Sequence, residues 1–92
     1  MRLPSKFWGS RVPGWALGLG AKGYHRLMGI VGAEARARGL DFQFDDEGSV
    51  RLGTRVENAR ELDLRALARE CAESPAESWE ALVAERIDEA LR

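Results

Sequence analysis

The chain is 92 residues long, 45% hydrophobic and 32% charged, with a formal net charge of −1. That length allows one domain, and a chain this short buries only about 60–65% of its unfolded surface, so its stability margin is thin. A single cysteine, Cys71, and a single histidine, His25, exclude an internal disulfide and the common zinc constellations, and no apolar run reaches the roughly 20 residues of a membrane-spanning helix. The lone cysteine fits a reducing compartment, read here as cytoplasmic.

The net charge hides a split by sign. Residues 1–38 carry seven basic side chains and one acid, a net +6, whereas residues 39–92 carry seven basic and fourteen acidic ones, a net −7. Asymmetry of this kind points to an interaction protein and to no particular chemistry.

Residues 1–23 read as a Gly/Pro-rich arm. Five glycines and two prolines break helix and strand periodicity. Val12–Ala21 contains Pro13, Gly14, Gly18 and Gly20, too poor a helix former for the apolar core of a signal peptide. Yet Phe7, Trp8, Trp15, Leu17 and Leu19 are apolar, so the arm has something to bury. Arg2, Lys6, Phe7, Trp8, Arg11 and Trp15 form an aromatic-basic set of the composition found at protein interface hot spots. The expectation is that a larger protein assembly, or a second copy of the chain, orders the arm through these residues. The competing reading folds the arm back onto the domain's own core. Base stacking with phosphate neutralisation is a further reading, disfavoured by the acidic second half, and membrane-surface contact is another.

Residues 24–92 read as one small α+β domain of order α-β-β-α-α. Tyr24, Leu27, Met28, Val31 and Ala35 make the apolar stripe of a helix over 24–38, with Gly39 placed for a left-handed cap. Leu40, Phe42 and Phe44 alternate with polar residues, Asp45-Asp46-Glu47-Gly48 supplies a turn, and Val50 and Leu52 return, so 40–56 reads as a hairpin. Leu64, Leu67, Ala68 and Cys71 form the stripe of a helix over 62–73. Ser74-Pro75-Ala76-Glu77 then has the form of a capping box, with Ser74 as N-cap and Pro75 as first helical residue. Trp79, Leu82, Val83, Ile87 and Leu91 line the last helix. Since a two-stranded hairpin is marginal alone, its apolar face must pack on the helices.

The patterns that carry chemistry fail on spacing. Asp41, Asp45, Asp46 and Glu47 lack the calcium-loop spacing and read as a solvated turn. His25 and Cys71 have no third orienting group to make a catalytic pair, and Cys71 sits on its helix's apolar stripe. Gly29-Ile30-Val31-Gly32 matches the GxxG of KH nucleic-acid domains but falls inside a helix instead of joining two. The stretch from Arg55 to Leu91, with Cys71, Pro75, Trp79 and Val83, resembles the C-terminal part of small bacterial proteins without established activity, which implies a fold element and no mechanism. The sequence therefore points to a non-catalytic accessory or scaffold subunit, without cofactor, that docks through its arm. The alternative is a small nucleic-acid-binding module using the arm and the first helix.

Overall fold

The computed structural model describes residues 12–45 and 47–92. Among them, a 3-10 helix over Gly14–Leu19 leads into α1 (Gly20–Ala37). Strands β1 (Asp41–Phe44), β2 (Ser49–Gly53) and β3 (Arg60–Asp63) follow, then α2 (Leu64–Ala72), a 3-10 turn at Ala76–Ser78, and α3 (Trp79–Leu91). The fold is the α+β domain expected, with one strand more than the sequence suggested.

The strands form an antiparallel meander of order β1-β2-β3. Phe42 pairs with Leu52, and Val50 lies between Phe44 and Leu62, so these five apolar residues share the inner face. Gln43, Arg51 and Glu61 align across the outer face. The side-chain period of two in a strand makes this division automatic once the register is set. The inner face meets the stripes expected for α1, α2 and α3: Leu27, Val31 and Ala35, then Leu64, Leu67 and Cys71, then Val83 and Ile87, all buried. Gly39 adopts φ 70 just past α1, as the cap required.

Helix α1 starts at Gly20, four residues before the expected boundary, and Val12, Trp15 and Leu19 pack against the core. The folded body thus reaches back at least to Val12, and residues 12–23 of the expected arm belong to it. The reason is the apolar content of that stretch, which the domain itself buries.

The α2–α3 junction also differs from the expected capping box. Pro75 is the residue before the 3-10 turn, no side chain caps that turn, and α3 begins only at Trp79. Ser74 Oγ instead donates backwards to the Glu70 carbonyl at 2.7 Å, closing the end of α2. The helix cap that sequence reading missed is Asp63, whose Oδ1 accepts the backbone N–H groups of Arg65 (3.0 Å) and Ala66 (3.3 Å). Asp63 thereby ends β3 and starts α2 in a single residue.

An ion pair bridges the two halves of the charge split within the fold, and others lie inside each half. Arg38, at the end of basic α1, grips Asp88 of acidic α3 through two bonds, Nε to Oδ1 at 2.8 Å and Nη2 to Oδ2 at 3.2 Å, and also holds Glu34. Arg86 of α3 reaches Glu70 of α2 at 2.6 Å. The Arg38 hydrogen bond holds the Asp88 carboxyl below its ordinary value. A depressed carboxylate stabilises the fold above its unfolded value of about 3.9 and loses that contribution as pH falls through the folded value. Asp88→Asn is therefore expected to melt below the wild type at pH 6, with the gap closing as pH falls below about 4. Thermal melts of both proteins across that range check this, and a gap that does not narrow in acid would show that the ion pair is not its source.

Candidate functional site

The expected docking residues fall into two groups. Arg2, Lys6, Phe7, Trp8 and Arg11 lie outside the described residues. Trp15 lies in the 3-10 helix, half-buried, with its ring edge-on to Tyr24 at 5.8 Å between centroids. Trp15 thus follows the fold-back reading as far as its ring is concerned. Its indole N–H, however, is buried and finds no hydrogen-bond acceptor among the described residues. Two residues on, Leu17 is 68% exposed, the exposed large hydrophobic side chain among the described residues. In the sequence, Leu17 stands out only as part of the apolar content of the arm. Its outward position follows from packing: Ala16 and Leu19 turn to the core, and a short helix cannot bury all its sides.

The basic side chains of α1 are largely engaged within the domain. Arg26 donates from Nη2 to the Ala76 carbonyl at 3.2 Å and lies 5.5 Å over the Trp79 ring. Arg36 lies 5.4 Å over the Phe42 ring. With Arg38 bound to Asp88 and Glu34, these three cations brace α1 against its neighbours.

The other candidate sites resolve into structural parts. Asp45 Oδ1 accepts the backbone N–H of Glu47 (2.8 Å) and of Ser49 (3.0 Å), so this carboxylate fixes the hairpin turn. Gly32 lies within α1, where a Cβ would come 3.3 Å from the Phe42 ring, so its side of the GxxG is a packing contact. Cys71 is fully buried, and burial pushes its thiol up to about 11. It is therefore expected to resist thiol-specific reagents at pH 8 in the native protein and to react when the chain is unfolded in denaturant. Rapid labelling under native conditions would contradict this burial. The described residues contain no group of three or more His, Cys, Asp or Glu that could hold a metal ion. A shallow depression of about 180 Å³ on the sheet, lined by Gln43, Phe44, Asp45 and Arg51, gathers no such group either.

No family model, curated protein or solved structure matches the chain. The likeness of residues 55–91 to small bacterial proteins finds no counterpart there.

Proposed function

We propose that this protein is a non-catalytic accessory or scaffold subunit that docks on a larger protein assembly, or on a second copy of itself, through its N-terminal segment. The observation that carries this reading is the exposed Leu17, two residues from a Trp15 whose N–H finds no acceptor among the described residues. Both lie within six residues of the end of the aromatic-basic run Lys6-Phe7-Trp8-Gly9-Ser10-Arg11. An exposed aliphatic side chain and a tryptophan, preceded in sequence by Arg2, Lys6, Phe7, Trp8 and Arg11, have the residue composition of a protein-interface hot spot. The internal engagement of Arg26, Arg36 and Arg38 weighs against the nucleic-acid alternative, which needs α1 cations free for phosphates. No described helix is long and apolar enough to cross a membrane. The lone buried thiol fits a reducing compartment such as the cytoplasm.

The test removes residues 1–11 and, separately, changes Leu17→Asp, leaving the folded body from Val12 intact. Both variants are expected to keep the wild-type circular dichroism spectrum. Both should lose co-elution with the partner identified for the full chain, or lose self-association in sedimentation. Assembly that persists in both variants would move the docking surface to the acidic half. Binding that weakens linearly with log salt over many decades would favour nucleic acid instead.

A further inference from the structure

We infer that the 3-10 helix Gly14–Leu19 is a latch, which docks on the core yet opens as a unit while α1–α3 and the sheet stay folded. The inference goes beyond the docking proposal and does not depend on any partner. Little in the local sequence holds this segment in place. It runs for six residues, whereas 3-10 runs beyond three or four residues are uncommon because their hydrogen-bond geometry is poor. Gly14 and Gly18 lie within it, and no side chain caps it at Pro13. Its boundary bonds are backbone ones: Ala16 N–H donates to the Pro13 carbonyl at 3.0 Å, and Gly20 N–H donates to Leu17. Docking therefore rests on packing against α1 and α2, with Trp15 against Tyr24 and beside the Gly48 turn, Ala16 buried, and Leu19 over Gly23.

That packing is incomplete in two respects. The buried Trp15 N–H finds no acceptor among the described residues, which disfavours the docked state relative to one in which water reaches the indole. Leu17, 68% exposed, contributes little to docking. The segment also ends on a natural pivot. Gly20 sits at φ 73, a region glycine enters and leaves at little cost, between the 3-10 helix and the first turn of α1. Elements held by packing alone, without side-chain caps or ion pairs, open locally at lower free energy than the whole domain. The other helices are pinned: α2 by the Asp63 cap, and α1 and α3 by the Arg38–Asp88 pair.

Native-state hydrogen exchange on the full chain tests this. Amides of 16–20 are expected to exchange about tenfold or more faster than those of 27–31 in α1, with little dependence on low denaturant concentrations. Gly18 has no positive φ, and its added Cβ meets nothing within 4 Å. Gly18→Ala should therefore slow exchange of 16–20 about two- to fivefold, by restricting the open chain. Gly29 is equally open in the middle of α1, so Gly29→Ala should slow exchange of 27–31 about fivefold and leave 16–20 unchanged. If 16–20 exchange at the α1 rate and follow it in Gly29→Ala, the segment opens only with the whole domain and the inference fails. A Gly18→Ala protein with unaltered exchange at 16–20 overturns it as well.

Discussion

Trp79→Ala is expected to remove most of the protein's stability and bring it to the edge of unfolding at room temperature. The side chain is 7% exposed at the start of α3, and it joins three elements. Its Nε1 donates to the Cys71 carbonyl at the end of α2 at 2.9 Å and lies 3.4 Å from the Ser74 carbonyl. Arg26 of α1 stacks over its ring, and the ring edge comes within 3.4 Å of where a Gly23 side chain would stand. Deleting a buried Trp costs about 3–5 kcal/mol, from lost transfer free energy and the cavity left behind. Small domains hold about 5–15 kcal/mol in total, and a chain of this length sits towards the low end. Trp79→Phe separates the ring from its hydrogen bond. The Cys71 carbonyl keeps the Ser74 N–H at 3.2 Å, so the lost donor should cost only about 0.5–1.5 kcal/mol beyond the smaller ring. Thermal melts followed by circular dichroism should rank wild type above Trp79→Phe, and Trp79→Phe far above Trp79→Ala. A near-native melt for Trp79→Ala would place the side chain outside the core.

The parts of the fold legible in the sequence are those set by repeated apolar spacing. The stripes of α1 and α2 are buried residue for residue as read, and Trp79, Val83 and Ile87 of α3 are too. The hairpin pairs Phe42 with Leu52, as alternation implied. Strand β3 was not legible, because Arg-Glu-Leu-Asp offers one apolar residue and no alternation. It becomes a strand only through pairing with β2, a contact that local periodicity does not encode. The same four residues hid the Asp63 cap, since Leu62 read as the start of a helix and turned out to face the core from the sheet. Ser74 shows the opposite failure. A good capping-box pattern was present, but the hydroxyl found the end of the preceding helix first, and Pro75 set an extended backbone before the 3-10 turn. At the candidate site, the aromatic content of the N-terminal stretch was legible. The exposure of Leu17 and the unmet Trp15 donor were not, because both depend on which side of the 3-10 helix meets α1 and α2.

Gly48→Ala is expected to cost about 1–3 kcal/mol, the usual range for a non-glycine residue held in a left-handed conformation. Gly48 closes the β1–β2 turn at φ 94 and is buried. Its conformation is fixed from both sides. Asp45 holds the neighbouring Glu47 and Ser49 amides, and the Gly48 carbonyl accepts the N–H of Leu64, at the first turn of α2, at 2.7 Å. Two costs arise on adding a methyl group. The Cβ would overlap the Arg65 Cγ, which the exposed Arg65 can relieve only by turning its whole side chain, at a further cost. The backbone has no such escape, because relaxing φ breaks the bond that ties the turn to α2. The comparison is Gly29→Ala, where the Cβ meets nothing within 4 Å and φ is helical. There a gain of up to about 1 kcal/mol is expected, because alanine is the better helix former. Urea unfolding of the two variants should move the midpoint in opposite directions from the wild type. A Gly48→Ala protein as stable as the wild type would mean that the turn can adopt another backbone without losing its bond to Leu64.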